Sequence, residues 1–258
     1  MAKRNDKLPF ERLTRAVARV PFLKPLHPWT NPKKTDMRWL PINTDIQMPE
    51  NAPLPLDLLY RLIEESSHRA LFDYCGCRKG FKCKHYPIEI GCMLLGDSAL
   101  EASPRVSHLA TVEEAKERAR QAAEAGLVPI VGKARVDNWI FKIPDKRTMV
   151  TVCYCCECCC VTRFARTIPA GYLDNLFPPL EGLHVQVNDN CTGCGLCAKH
   201  CYMGAITIQD KRAVLGPLCR SCGRCASVCK KDAVDIIIDD PDFLEKTRER
   251  IRSYVKYD

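Results

Sequence analysis

Two short cysteine runs near the carboxyl end decide how this chain folds. Residues 191–201 read Cys-Thr-Gly-Cys-Gly-Leu-Cys-Ala-Lys-His-Cys, and residues 219–229 read Cys-Arg-Ser-Cys-Gly-Arg-Cys-Ala-Ser-Val-Cys. Both have the spacing C-x2-C-x2-C-x3-C, and the second run starts 28 residues after the first. Cysteines two residues apart in a tight loop turn their sulfurs towards one centre, and glycine permits the backbone angles of such a loop. The repeat therefore predicts two metal clusters held by thiolates.

The runs closely resemble the dicluster bacterial-type ferredoxin family, over roughly residues 183–240. The resemblance implies two [4Fe-4S] clusters, with the fourth cysteine of each run binding the other cluster. It assigns one cluster to Cys191, Cys194, Cys197 and Cys229. It assigns the other to Cys219, Cys222, Cys225 and Cys201. Where the family usually has a proline after the fourth cysteine, this chain has Tyr202 and Lys230. Zinc knuckles and disulfides are the alternatives, and two complete copies of the run argue against both.

The composition of the 258-residue chain favours metal binding over disulfide bonding. Its 18 cysteines lie in four tight groups, unlike the dispersed cysteines of small secreted scaffolds. Clustered thiols indicate a reducing compartment, and we expect the cytoplasm of an anaerobe. Neither a signal peptide nor a membrane-spanning run is expected. The net charge of +8 is spread along the whole chain. We therefore expect an acidic redox partner rather than nucleic acid.

The amino-terminal part is expected to be an extension. Residues 1–55 are basic and rich in proline, which predicts an extended arm. Apolar residues recur at helical spacing between residues 7 and 20, so one amphipathic helix is predicted there. That helix could lie on a membrane surface, in a partner's groove or on its own protein.

Ten further cysteines form two groups between residues 75 and 160. The first group has the spacing C-x-C-x5-C-x8-C and contains Cys75, Cys77, Cys83 and Cys92. The second group places six cysteines within eight residues: Cys153, Cys155, Cys156, Cys158, Cys159 and Cys160. Side chains alternate in a strand and spread around a helix, so these six cannot all point one way. We expect some to bind metal and others to pack or support the ligands.

The surroundings of these cysteines resemble a group of anaerobic iron–sulfur proteins. The features that match are Cys-x-Cys-Arg at 75–78, Lys-Cys-x-x-Tyr-Pro at 82–87, Gly-Cys-Met-x-Leu-Gly at 91–96 and the run 153–160. In that group the module precedes a dicluster ferredoxin domain, and the resemblance covers roughly residues 70–240. It implies a further metal site in an electron-transfer setting, without an established activity.

The remaining patterns predict an α+β protein. We expect a mixed α/β cysteine-rich domain at 56–180, a ferredoxin-like βαββαβ domain at 181–240 and a charged helix at 241–258. Periodicity predicts helices over 56–72 and 111–125, and strands over 127–131, 139–143 and 148–152. In the ferredoxin part, we expect strand 183–187 to pair with 234–238, and 206–208 with 213–215.

Three functions are compatible with these patterns. The favoured function is an iron–sulfur electron-transfer protein, a subunit of a larger oxidoreductase with two [4Fe-4S] clusters and at least one further iron–sulfur centre within residues 75–160. The second is a reductase whose further centre performs two-electron thiol or disulfide chemistry in a cleft lined by Arg78, His85 or Glu157. The third is a zinc-containing nucleic-acid-binding protein. Zinc held by Cys75, Cys77, Cys83 and Cys92 is the alternative to the further cluster.

Overall fold

The computed structural model describes residues 20, 35–42, 44–47, 55–144 and 147–258. The helix predicted over residues 7–20 therefore lies outside the described residues, Val20 excepted. Six strands form the main sheet: β1 (Asp36–Trp39), β2 (Arg69–Phe72), β3 (Met93–Leu95), β4 (Ser107–Leu109), β5 (Val128–Lys133) and β6 (Val150–Cys155). Their order across the sheet is β1-β5-β6-β3-β2-β4, and every neighbouring pair is antiparallel. The first strand lies within the stretch that the sequence assigns to the arm.

Helices and short 3-10 turns connect these strands. The helices are α1 (Pro55–Glu65), α2 (Gly76–Gly80), α3 (Val112–Glu124), α4 (Arg135–Phe141) and α5 (Ala170–Leu173), and the 3-10 segments are Asp97–Glu101 and Val161–Thr167. The Thr111 hydroxyl accepts from the Glu114 amide at 3.2 Å, and the Glu114 carboxylate accepts from the Thr111 amide at 2.8 Å. This capping box begins α3 where the sequence predicts it.

Two predictions of local structure are wrong. The helix predicted over 56–72 ends at Glu65, and Arg69–Phe72 forms β2. The Ser66 hydroxyl donates back to the Leu62 carbonyl, which competes with continuation of the helix. The strand predicted over 139–143 is part of α4. Both edges of β6 are already occupied by β5 and β3, so a further strand has no partner there.

The pleat of the sheet separates two hydrophobic cores. Along β6, Val152 and Tyr154 pack with the apolar faces of α1 and α3, represented by Leu59 and Ala119. Cys155 packs in the other core, with Trp39, Ile130, Phe164 and Phe177. Because successive side chains of a strand point to opposite faces, the cysteines of β6 share the second core.

The C-terminal lobe, residues 183–238, contains two antiparallel strand pairs and two short helices. Its elements are β7 (Leu183–Val187), α6 (Leu196–His200), β8 (Ile206–Gln209), β9 (Arg212–Leu215), α7 (Arg224–Ser227) and β10 (Val234–Ile238). β7 pairs with β10 and β8 pairs with β9, so both predicted pairings are confirmed. A final helix, α8 (Phe243–Tyr254), packs on the same core as α1.

The segment after β1 joins the lobe to the sheet. The Gln47 amide donates to the Ile236 carbonyl at 2.7 Å, and the Ile238 amide donates to the Gln47 carbonyl at 2.9 Å. These bonds continue the β7–β10 pair by one extended residue. Among the helices that the structure describes, none combines the length and the apolar character needed to span a lipid bilayer.

Candidate metal centres

The eight cysteines of the C-terminal lobe form two sets of four. The outer set lines a cavity of about 190 Å³ and consists of Cys191, Cys194, Cys197 and Cys229. The inner set lines a second cavity and consists of Cys201, Cys219, Cys222 and Cys225. Each set therefore combines three cysteines of one run with the fourth cysteine of the other. That clusters bind to these sets stays a prediction.

Backbone amides donate to sulfur at equivalent places in both sets. The Ala205 amide lies 3.3 Å from Cys201 Sγ, and the Ala233 amide lies 3.4 Å from Cys229 Sγ. Amides directed at sulfur stabilise its anionic, metal-bound form and tune the reduction potential of a cluster. The donor set therefore fits iron–sulfur ligation.

Two glycines allow the cysteine loops to pack closely. Gly193 has a φ of +68°, and a Cβ there would lie 2.5 Å from the Lys211 carbonyl. Gly223 has a φ of +75°, and a Cβ there would lie 2.7 Å from the Pro41 ring. Another residue would meet both backbone strain and a clash at either position.

The two sets differ in their surroundings. Cys194 in the outer set is exposed, whereas none of the inner cysteines is. The residue after each fourth cysteine follows the same division: Lys230, after Cys229, is exposed, and Tyr202, after Cys201, is 2% exposed. The inner set therefore faces protein where the outer set faces solvent.

Tyr202 connects the inner set to the cysteines of β6. Its ring lies in the same core as Cys155, Cys160 and Phe164, and Cys201 packs against that core. Burial raises the pKa of Tyr202 well above its ordinary value, and the nearby Cys155 and Cys160 raise it further. Within the part of the chain that the structure describes, its hydroxyl has no hydrogen-bond partner.

Seven cysteines from the two earlier groups line one large cavity, and we call six of them, all except Cys156, the cavity set. The cavity has a volume of about 440 Å³, and the set consists of Cys75, Cys77, Cys92, Cys153, Cys155 and Cys160. Sulfur–sulfur distances are 3.4 Å between Cys92 and Cys153 and 2.8 Å between Cys155 and Cys160. Sequence analysis predicted a shared centre without identifying this subset.

The remaining four cysteines form a compact set in which all four Sγ atoms lie within 4.8 Å of one another: Cys83, Cys156, Cys158 and Cys159. Cys158 Sγ is 3.7 Å from both Cys83 Sγ and Cys156 Sγ. Cys156 also touches the large cavity. The zinc site considered from the sequence, Cys75, Cys77, Cys83 and Cys92, is therefore not brought together. Cys83 reaches across to the second group because the loop after α2 meets the turn after β6.

A buried guanidinium lies between the cavity set and the compact set. Arg78 is 1% exposed, and it donates to the carbonyls of Pro87 at 2.7 Å, Tyr154 at 2.6 Å and Ile90. No carboxylate pairs with it among the described residues. Burial lowers the pKa of Arg78, but the charges of the surrounding cysteines, Cys75 foremost, outweigh burial and raise it. A buried cation without a carboxylate fits surroundings that carry thiolate charge.

The thiols of the cavity set cannot all ionise by themselves. Hydrogen bonds from Cys77 and Cys92 hold the pKa of Cys75 far below its ordinary value. The same pairings raise the pKa of Cys77, and Cys153 raises that of Cys92. One thiolate thus prevents its neighbours from losing their protons. A bound metal removes this restriction, so the set fits a metal centre.

A polar network borders the compact set. Glu157 accepts from the Tyr86 hydroxyl at 2.8 Å, contacts His200 Nδ1 at 3.0 Å and lies 3.4 Å from the Arg224 guanidinium. Burial favours a raised pKa for Glu157, but Arg224 and these hydrogen bonds outweigh it and lower that pKa. The network therefore joins the turn after β6 to both helices of the C-terminal lobe.

Part of this network was foreseen from the sequence. His85 and Glu157 line the same cavity of about 470 Å³, as expected for a shared cleft, whereas Arg78 lines the large cavity instead. His200 and Arg224 were missed. Their position next to predicted ligands, one residue before Cys201 and Cys225, was the available signal.

Comparison with known families identifies the class of domain. Residues 184–207 match the 4Fe-4S binding domain family, and the matched stretch contains Cys191, Cys194, Cys197 and Cys201. The chain thus carries a ferredoxin-type 4Fe-4S domain, which supports an iron–sulfur electron-transfer role. No curated protein and no solved structure matches the chain significantly.

Proposed function

We propose that this protein is an electron carrier with two [4Fe-4S] clusters, in the outer and inner sets, that exchanges electrons with a further iron–sulfur centre in the cavity set. Bound clusters of this kind supply reversible one-electron chemistry. The protein would act as a subunit of a larger oxidoreductase in a reducing compartment. One observation carries the proposal: Tyr202, directly after an inner-set ligand, packs beside two cysteines of the cavity set.

The exposure of the outer set indicates which site a partner protein can approach. Cys194 is exposed, so a partner can approach the outer set closely. Lys230 and Lys231 line the same cavity and are exposed. A cationic rim of this kind attracts an acidic redox protein, and the attraction depends on ionic strength. The outer set is therefore the proposed docking site, and the inner set the internal neighbour of the cavity set.

The number of thiols in the cavity set bears on the type of centre. A cubane takes four cysteine ligands, and the cavity set contains six cysteines. The surplus over four and the close sulfur pairs Cys92–Cys153 and Cys155–Cys160 favour a larger or fused iron–sulfur cluster. Arg78 supplies a buried guanidinium charge beside these thiols, and it offsets part of the negative charge of such a cluster.

Metal analysis of anaerobically purified protein tests the proposal. Two cubanes contribute about eight irons and eight sulfides, and the further centre raises both counts above eight. In Cys153→Ser, the excess over about eight irons should be lost while the dithionite-reduced spectrum of the two cubanes remains. In Cys222→Ser, about four irons of the lobe should be lost instead. Wild-type protein with about eight irons and no excess sulfide would contradict the further centre.

A second candidate function, a reductase, is favoured by the volume and the apolar lining of the cavity beside the cavity set. At about 440 Å³ it is more than twice the outer-set cavity of about 190 Å³. Its far side is apolar and is lined by Phe72, Ile140 and Phe141. This leaves room for a small apolar disulfide, which takes two electrons and two protons to give two thiols.

Product analysis distinguishes the reductase from the carrier. Dithionite-reduced protein, freed of excess dithionite, is mixed anaerobically with a small aromatic disulfide. A reductase would release two thiols for each pair of electrons lost by the protein, and Ile140→Trp would slow this release by filling the cavity. If no thiol is released and the protein stays reduced, the result would favour the carrier function over the reductase.

A further inference from the structure

The compact set has the spacing of a mononuclear metal site. Two of its sulfur–sulfur distances are 3.7 Å, and all four sulfurs lie within 4.8 Å of one another. A tetrahedral zinc ion with bonds of about 2.3 Å to sulfur holds its ligands about 3.8 Å apart. A cubane separates its ligands further, because four irons and four sulfides lie between them.

Two separate segments hold these four sulfurs. The Cys83 amide donates to the Arg78 carbonyl at 2.9 Å, which closes the loop after α2. The turn after β6 is closed by the Cys160 amide, which donates to the Cys156 carbonyl at 3.3 Å. Cys156 and Cys159 are buried, and Cys83 and Cys158 are half-buried. Each segment is thus closed by a backbone hydrogen bond of its own.

We propose that Cys83, Cys156, Cys158 and Cys159 bind a single metal ion, zinc or iron, in a tetrahedral site distinct from the iron–sulfur centres. The ion fixes the turn that carries Glu157, and Glu157 contacts His200 and Arg224 in the C-terminal lobe. The ion thereby stabilises the contact between the cysteine-rich part and the lobe. This site does not depend on what the cavity set binds.

Metal and sulfide analysis of matched variants tests the site. Cys83→Ser and Cys158→Ser each remove one ligand of the compact set, and Cys153→Ser is the control from the cavity set. Loss of a single zinc ion, with iron and sulfide unchanged, supports the proposal and identifies zinc. Loss of a single iron ion without sulfide supports it and identifies iron. Loss of several irons together with sulfide, or no loss of metal, overturns it. The control should keep the ion.

X-ray absorption by the wild-type protein provides a test that does not depend on variants. For zinc, the expected spectrum shows about four sulfur neighbours at about 2.3 Å and no metal neighbour. Zinc bound to nitrogen or oxygen, or absent while all iron belongs to clusters, would overturn the proposal. The iron and sulfide totals of the same sample decide the proposed function separately.

Discussion

The outer and inner halves of the C-terminal lobe are nearly identical in sequence pattern and opposite in surroundings. Both have the same cysteine spacing, and their helices begin at Gly195 and Gly223 with φ of +76° and +75°. Nevertheless Lys230 is exposed where the equivalent Tyr202 is 2% exposed. The cysteine loops thus determine what can be bound, and the residue after the fourth cysteine determines what the bound group faces.

The difference in surroundings suits the outer and inner sets to different steps of electron transfer. Solvent exposure and hydrogen bonding set the potential of an iron–sulfur cluster, so two sites with the same ligands need not have the same potential. The exposed half is suited to exchange with a partner, and the buried half to exchange within the chain.

Removal of one cysteine ligand from either half should have the largest effect, on both iron content and unfolding free energy. Cys222→Ser and Cys194→Ser are each expected to lose about four irons. Only Cys222→Ser should also weaken the contact with the cysteine-rich part, because the inner set packs on the same core as Tyr202. Anaerobic denaturant titration, with iron analysis, measures both consequences. Equal losses of unfolding free energy in the two variants would contradict the division between the halves.

Substitution of the residue after each fourth cysteine should have a smaller effect, which is confined to the unfolding free energy. Tyr202→Ala leaves a cavity between the lobe and β6, and we expect a loss of about 3–4 kcal/mol of unfolding free energy. Lys230→Ala removes an exposed side chain and should change it by less than about 0.5 kcal/mol. Tyr202→Phe is the matched control, since it removes only a hydroxyl that has no partner within the described residues. Anaerobic denaturation measures all three, and a cost for Tyr202→Ala no larger than that for Lys230→Ala would argue against the packing role.

Reversal of charge at the exposed half should have the smallest effect. In Lys230→Glu/Lys231→Glu, the outer set should be reduced more slowly by an anionic reductant, by about 3- to 10-fold at low ionic strength, and the difference should shrink with added salt. Arg61→Glu/Arg105→Glu is the control, with the same change in net charge on exposed residues that do not line the outer cavity. Stopped-flow absorbance measures the rates. An equal decrease in both variants would mean that net charge, rather than the rim, controls access.

Sequence analysis was strongest where the determining contacts are local. The C-x2-C-x2-C-x3-C runs and the pairings β7–β10 and β8–β9 follow from short-range spacing and alternation, and the pairings are confirmed. The departure at Tyr202 was visible in the sequence, but its burial was not, because it depends on contact with β6. The strand predicted over 139–143 was wrong, since these residues belong to α4 and the turn that follows it.

The partition of the ten earlier cysteines could not be predicted from spacing. Cys83 and Cys158 are 75 residues apart in the chain and 3.7 Å apart at their sulfurs. The alternative considered from the sequence was a zinc site made of Cys75, Cys77, Cys83 and Cys92, which are neighbours in sequence. Tertiary contacts instead place Cys83 with the second group, and no local sequence pattern indicates this contact.

The pleat of β6 has a consequence for the ancestry of this module. Cys153 and Cys155 belong to the cavity set, and Tyr154 between them points to the opposite face of the sheet. Cys156, Cys158 and Cys159, which follow the strand, belong to the compact set. The dense run is therefore two interleaved signatures, each tied to its own set of distant cysteines. Such signatures can be inherited or lost one at a time, so a chain that has only half of these cysteines need not be a degenerate copy.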